Sequence, residues 1–366
     1  MDTVLRSVLP FLGILVALVV VHELGHYFTA KAAGIKVLEF GIGYPPKLWG
    51  KRFGETEYTI NALPLGGFVR MLGEEDPSDP ESFAAKPRWV RVIVLLSGAA
   101  MNAILPVFLF TCTFLIPQDV AVGRAVVDRV EPGTPAADAG VRSGDIIQRI
   151  NGREIGSLAD AHYVIRLNQG STMTWTIQRP IEGISGPVSA GRETMELQVY
   201  GRWAPPSGQG PTGIALQQRG LQIEKRSYPI WEAVPKAFVR TAESLILARN
   251  QIISWVVGRT APQVAGPVGI AQATGEVVKQ AGWVALFEFS ALLSINLAIV
   301  NVLPLPMLDG GRVLFIVIEM LRGGKRIPPE RESLVHLAGF VVLIGLMVLV
   351  TFADIQRLVA GESPFR

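Results

Sequence analysis

The sequence predicts an α-helical polytopic membrane protein with four transmembrane helices, a β-hairpin between the first two, and a small α/β module inserted between the second and third. Three observations predict it. Of 366 residues 49% are hydrophobic and the mean hydropathy is +0.36, above the range of ordinary soluble domains. Four apolar runs, Val8–Ala30, Val92–Ile116, Trp283–Leu308 and Leu334–Ala353, are each long enough to cross a hydrocarbon core of roughly 30 Å. Between them the pattern changes to short alternating stretches punctuated by Gly and Pro.

The first run is expected to stay as a span rather than be removed as a signal peptide. Only Arg6 precedes it as a basic residue, no small-x-small cleavage site follows, and it ends in "HELGHYFTA". The loop from Lys31 to Arg91 carries nine Lys/Arg, and the link after the third run carries Arg312, Arg322, Lys325, Arg326 and Arg331. Short loops rich in Lys/Arg stay in the cytoplasm, which puts 117–282 and both termini outside.

Within the first loop, "ETEYTINALPLGGFVRML" reads as an alternating strand (Thr56, Tyr58, Ile60 on one face), a Pro-Leu-Gly-Gly turn and a second strand from Phe68. The preceding "VLEFGIGYPPKLW" is apolar and Gly/Pro-punctuated. A hairpin this apolar beside a span can enter the bilayer only where protein buries its backbone. Residues 73–82, "GEEDPSDPES", read as an exposed linker. The second run has no charge between Arg91 and Asp119, and its Cys112 is a packing residue; one cysteine makes neither an internal disulfide nor a cysteine metal site. A net charge of +3, scattered along the chain, gives no footing for nucleic acid.

The outer segment is an α/β module. In "VEPGTPAADAGVRSGDIIQRINGREI" a strand (Ala125–Val130) meets a Pro-Gly turn, a short helix Pro135–Ala139 ends at Gly140, and two strands follow around an Asn-Gly turn. This run resembles a PDZ domain, a fold that binds extended chain ends by strand addition. Two roles are open for it: gating substrates, or spacing the membrane parts. Residues 203–220 read as a Pro/Gly/Gln-rich linker. In 229–258, Trp231, Val234, Phe238, Leu245, Ile252 and Trp255 have helical spacing, fitting either an interfacial helix or a surface helix packed on the module. The predicted divisions are thus 1–116, 117–202, 203–282 and 283–366.

The chemistry starts at His22, Glu23 and His26, which interrupt the first run near its end. Residues four apart share one helix face, so the two imidazoles can grip one metal ion while Glu23 stands beside a bound water. Zinc accepts nitrogen ligands and lowers the pKa of bound water, and an adjacent carboxylate can move the proton. Ionisable groups are costly inside a membrane unless they do something there. Val8 to Val21 is fourteen residues, roughly 21 Å of helix, which sets the centre about two-thirds of the way toward the cytoplasm.

A catalytic zinc normally has three protein ligands and an open position. His162 sits in the outer module and His336 opens the fourth run; both read as structural. "NLAIVNVLPLPMLDGGR" offers more: Asn296 and Asn301 lie in an uncharged stretch, Pro304 and Pro306 prevent regular helix, and Asp309 arrives on the cytoplasmic side with His26. Asp309 is the expected third ligand, the rival reading being an interfacial charge.

Together HELGH in the first span, NVLPLPMLDGG in the third and a PDZ-like run between the second and third resemble the site-2 protease family of intramembrane zinc metalloproteases, in particular its bacterial RseP-like members. The resemblance covers nearly the whole chain. It implies a Zn2+ held by His22, His26 and Asp309, with Glu23 as general base. It also implies that Asn301 of the NxxPxPxLDG motif, with Pro304 and Pro306 beside it, lies on the substrate side, and that the 54–72 hairpin is a membrane-re-entrant β-loop offering its edge to an unwinding substrate. Two departures stand out. Enterobacterial members carry tandem PDZ domains, and one signature is present here. The second span reads "SGAAMN" where Pro-Gly is usual, leaving Asn102 as a substrate-side or helix-packing residue. "GPVGIA" (266–271) recurs in the family and has no chemical role in this reading.

The function expected from these residues is zinc-dependent cleavage of transmembrane segments in the bacterial inner (plasma) membrane. Its partners would be the lipid bilayer and single-span substrates such as anti-sigma factors after a first, site-1 cut, or leftover signal peptides. The alternative is a membrane metal-binding or substrate-holding protein on the same scaffold, against which Glu23 argues because mere binding needs no base.

Overall fold

The structure is a computed structural model describing residues 7–180, 192–206, 208–258 and 265–363. In chain order it contains α1 (Leu9–Ala32), β1 (Val37–Phe53), β2 (Thr56–Met71) and α2 (Arg88–Leu115). Then come β3 (Gln118–Val130), α3 (Pro135–Asp138), β4 (Ile146–Ile150), β5 (Arg153–Glu154), α4 (Leu158–Leu167), β6 (Thr172–Pro180), β7 (Arg192–Tyr200) and β8 (Ile214–Arg226). The last five are α5 (Ile230–Gly258), α6 (Pro267–Ala281), α7 (Ala285–Val302), α8 (Asp309–Leu321) and α9 (Pro329–Val359). These fall into two compact units, Met1–Thr113 with Val234–Ala237 and Val264–Arg366, and Phe114–Ala233 with Phe238–Gln263. Residues 1–6 and 364–366, the predicted outer termini, lie outside the described residues.

The first unit is helical around a small sheet. Four of its helices are long and apolar enough to cross a membrane: Leu9–Ala32, Arg88–Leu115, Ala285–Val302 and Glu330–Val359. They match the four predicted runs, except that the third stops being helix at Val302, because Pro304 and Pro306 cannot continue it. α9 keeps an almost unbroken row of exposed apolar side chains, Val341 at 63% and Leu349 at 68% among them, the surface a lipid tail would cover.

β1 and β2 differ from the predicted hairpin in a way that matters for the site. Residues 39–42 pair with 67–70 on one side and with 57–60 on the other, while 47–53 pair with 56–61. The reversal expected at Pro-Leu-Gly-Gly is therefore present, but the stretches flanking it do not pair with each other. "EFGI", taken from sequence as apolar punctuation, is inserted between them as the central strand. Its alternating faces are split: Phe40 is buried against Tyr27 and Tyr58 of the same unit, whereas Tyr44, Leu48, Trp49 and Phe53 beyond it are exposed.

α8 was not separable from the cytoplasmic link in sequence, yet its apolar face is buried at Ile316 and its Glu319 anchors it to α2. Arg91 donates to Glu319 at 2.7 Å and Arg88 at 3.0 Å. Burial pushes the Glu319 carboxyl up, and the two guanidiniums more than offset this, holding it below its ordinary range. The 73–82 stretch is mostly exposed, but its last residue, Ser82, is fully buried next to Phe83. "GPVGIA" also finds a reason. The buried Asp354 of α9 accepts the Gly269 N–H at 2.8 Å at the start of α6, so a carboxylate meets the positive end of a helix. A Cβ on Gly269 would lie 2.9 Å from that carboxylate, leaving no room for a side chain.

The second unit is a six-stranded sheet in the order β7-β6-β4-β3-β8, with β5 paired to β4. α3 and α4 complete it, and Trp175, Ile147, Ile150, Met173 and Val164 form the core. The strand–helix–strand–turn–strand order predicted for 125–154 is found, with Asn151 at φ +50 and Gly152 at φ +78 making the Asn-Gly turn. The linker reading of 203–220 fails from Ile214 onward: β8 pairs with β3 along its length, and Gln217, Gln218 and Arg219 are strand residues whose polarity hid the pattern. In α5, Glu243 accepts from Arg153 and from Tyr163, and Asn250 donates to the carbonyls of Arg166 and Leu167. That half of α5 is a surface helix packed on the sheet module, the second of the two sequence readings.

Asp145 of the "GDIIQRING" run is completely buried and is held by both nitrogens of the Arg179 fork at 2.8 Å and by the Arg142 N–H at 2.8 Å. Asp145→Ala strands that guanidinium and is expected to destabilise this unit by about 3–5 kcal/mol. Thermal unfolding of the full chain in detergent checks it, and an unshifted transition for the unit would remove the pair from the fold's supports.

Candidate active site

His22, Glu23 and His26 stand on the second half of α1, and both histidines are buried, at 8% and 7% exposure. Asp309 comes from the opposite side as the first residue of α8. Between α7 and α8 the chain is irregular: the Leu305 N–H bonds back to Leu303, Met307 takes the left-handed conformation at φ +74, and its N–H donates to His336 Nδ1 at 2.9 Å. His336, read from sequence as structural, thus satisfies a backbone group freed by the prolines. The glycines after Asp309 are required by close approach. A Cβ on Gly310 would lie 2.3 Å from the Leu303 carbonyl oxygen, and one on Gly311 2.1 Å from that of Leu305. The "PLPMLDGG" break folds back on itself, and this aims Asp309 at α1.

The three donor atoms form a tight triangle. Asp309 Oδ2 is 3.1 Å from His22 Nε2 and 3.3 Å from His26 Nε2, and the two Nε2 atoms are 3.2 Å apart. Among the described residues this trio is the cluster of His, Cys, Asp or Glu able to hold a metal ion. The geometry fits zinc: a tetrahedron with bonds of about 2.0–2.1 Å has edges of about 3.3–3.4 Å. The hydrogen bonding fits as well. His26 Nδ1 lies 2.8 Å from the Val94 carbonyl, which can only accept, so the proton of the neutral ring is on Nδ1 and the Nε2 lone pair faces Asp309. The buried Asp309 Oδ2 makes no hydrogen bond of its own. Lone pairs converging on a carboxylate oxygen repel unless a cation sits among them.

Glu23 and the three donors line a cavity of about 360 Å³. Its walls include Tyr44, the stretch Gly66 to Val69, Asn301, Met307 and Arg312. Of the residues expected on the substrate side, Asn301 reaches this wall. Pro304 is exposed and off it, and Pro306 packs under α9, where a Cβ on Gly339 would lie 2.2 Å away. Asn102 is fully buried behind His22, away from the cavity. Sequence reasoning missed Tyr44 and Arg312 as wall residues. The signal for Tyr44 was its place in the Gly/Pro-punctuated strand; nothing distinguished Arg312 from the other loop cations.

Comparison with known proteins identifies the family. The sequence profile described as peptidase family M50 matches residues 10–346. A protein of Clostridium perfringens named "Putative zinc metalloprotease" is 36% identical over 93% of this chain and 95% of its own length. Zinc metalloprotease RasP of Oceanobacillus iheyensis is 30% identical over 98% of this chain and 100% of its own, and that of Geobacillus kaustophilus 30% over 96% and 98%. A profile match across nearly the whole chain, which takes in the residues of the histidines and the aspartate, establishes that the chain belongs to peptidase family M50, the site-2 protease family.

Proposed function

We propose that this protein is a zinc-dependent intramembrane endopeptidase whose metal is held by His22, His26 and Asp309. The observation that carries the reading is the 3.1–3.3 Å triangle of donors with an acid at its edge, its two histidines on a helix long enough to cross a membrane. Zinc held there would polarise the scissile carbonyl and make water a nucleophile near neutral pH. Glu23, on the cavity wall one residue from His22, takes the proton of the attacking water and returns it to the leaving amine. Asn301 donates from the same wall toward the bound chain. Metal storage alone would leave Glu23 without a task.

The hairpin supplies the substrate side. Residues 67–70 pair with β1 on one edge only, and the stretch Gly66 to Val69 faces the cavity. An unwound substrate segment adds to that edge as a further strand, which exposes a peptide bond that a helix would shield. Exposed Tyr44, Leu48, Trp49 and Phe53 suit a loop re-entering the bilayer. The six-stranded sheet with α3 and α4 is read as a single PDZ domain outside the inner membrane, binding or excluding the ectodomain side of substrates. The loop charges favour an active centre near the cytoplasmic face. Single-span proteins such as anti-sigma factors after site-1 cleavage, or signal-peptide remnants, are the substrate classes proposed.

Glu23→Gln is expected to keep one zinc per chain and lose cleavage of a helical membrane substrate by about 10²–10⁴-fold. Zinc analysis beside a gel assay of purified protein checks both halves; wild type and variant leaving the substrate equally intact would end the protease reading. Asp309→Ala should lose zinc under the same conditions, and full retention would remove Asp309 from the ligand set. Gly67→Val tests the strand, because a Cβ there lies 3.0 Å from the Glu23 side chain. Turnover should fall by about 10²-fold with zinc content unchanged, and unimpaired turnover would contradict a substrate path beside Gly67.

A further inference from the structure

We infer that Asn102 is a positioning residue for the metal centre: its side-chain carbonyl accepts the Nδ1–H of His22 and so aims the Nε2 lone pair at the ion. The inference rests on the ligand set proposed above. Three observations carry it. The Asn102 amide is 3.2 Å from His22 Nδ1, its residue is fully buried, and its Oδ1 has no hydrogen-bond partner. A buried amide oxygen left without a partner destabilises a fold. Turning the amide end for end changes no contact shape, because oxygen and nitrogen are nearly the same size. It pairs Oδ1 with the ring proton and puts the amide nitrogen where the oxygen stood.

His22 needs that acceptor. If Nε2 holds a metal, the neutral ring carries its proton on Nδ1, and an amide N–H facing an N–H would repel it. The other nearby group, Asn301 Nδ2, is 3.5 Å from the same ring nitrogen, longer than the Asn102 contact, and stands on the cavity wall. His26 shows the matching arrangement, with Nδ1 on the Val94 carbonyl at 2.8 Å. Both acceptors come from one face of α2: Val94 and Asn102 are eight residues apart, with Gly98 midway. At Gly98 a Cβ would lie 2.4 Å from His26 Nε2 and 2.7 Å from His22 Nε2. The face Val94–Gly98–Asn102 therefore fits around both imidazoles, one hydrogen bond to each, with a missing side chain between. A Ser294 hydroxyl on the Asn102 carbonyl at 2.7 Å fixes the backbone that carries the amide.

The test uses the full chain in detergent, freed of metal and titrated with zinc against a chromophoric chelator, for wild type, Asn102→Leu and Asn102→Asp. Asn102→Leu should bind zinc about 10–100-fold more weakly and give an altered visible spectrum with cobalt in zinc's place. Asn102→Asp, which keeps an acceptor toward Nδ1–H, should restore both to near wild type. Wild-type zinc affinity and cobalt spectrum in Asn102→Leu would overturn the inference, as would a raised KM with zinc binding intact, which would mark a substrate-side residue. Equal zinc loss in both variants together with a lowered apo unfolding temperature would overturn it in favour of simple packing. Failure of wild type to bind one zinc per chain would instead bring down the ligand set, and this inference with it.

Discussion

Three lone pairs are brought within 3.1–3.3 Å of one another, two of them from a helix long and apolar enough to cross a membrane, and the rest of the first unit is arranged around holding them there. Without a cation the triangle is repulsive, and both histidines are buried. The donors must therefore be fixed by their other contacts. His26 is fixed by a backbone carbonyl of α2, His22 by the Asn102 amide, and Asp309 by the helix it begins. α1 can come close enough for this only because Gly25 and Gly98 leave space; a Cβ on Gly25 would lie 2.4 Å from the Ser97 carbonyl oxygen. Small residues at a membrane helix contact are the expected means of such approach.

The same constraint explains the broken chain between α7 and α8. A continuous helix through 303–308 would carry Asp309 onward along the helix axis instead of turning it back to α1. Breaking a helix next to a segment long enough to span a membrane releases backbone groups that lipid could not satisfy. The structure supplies partners one by one: Leu305 and Leu308 N–H groups bond within the loop, and Met307 N–H goes to His336. Gly310 and Gly311 then let α8 begin in contact with the carbonyls it has just left. The α8 end is tied to α2 by the Glu319 ion pairs, so both helices that back the site are joined at their polar ends.

What the sequence revealed follows from which of these devices leave a local signature. Spans are legible because apolar length is a property of one segment, and HELGH because two ligands and the acid share one turn. Asp309 was legible through the prolines, which have no place in an ordinary span. The central strand at 39–42 was not legible, because its glycines dilute the alternation and its partners on either side lie eighteen and nearly thirty residues on. β8 was hidden by the polarity of Gln217 to Arg219 on an outer strand, and α8 by its closeness to the cationic link. Asn102 was visible as an anomaly in an apolar run. Its direction was not, because whether a buried amide faces a substrate or a histidine depends on helix rotation, which composition does not encode.

The position of the strand against the acid gives these parts a common sense. A peptide bond held in a helix is shielded by its own turn, and unwinding it in hydrocarbon leaves N–H and C=O groups costing several kcal/mol each. Unwinding is tolerable where a free strand edge takes those groups over. Residues 67–70 have such an edge, no other strand pairs with it among the described residues, and at Gly67 no side chain stands between it and Glu23. In the proposed reaction the segment that can leave its helix is therefore the segment already beside the acid and the donor triangle. Selection for local helix instability in the substrate, rather than for a particular side chain at the cut, follows from that coupling.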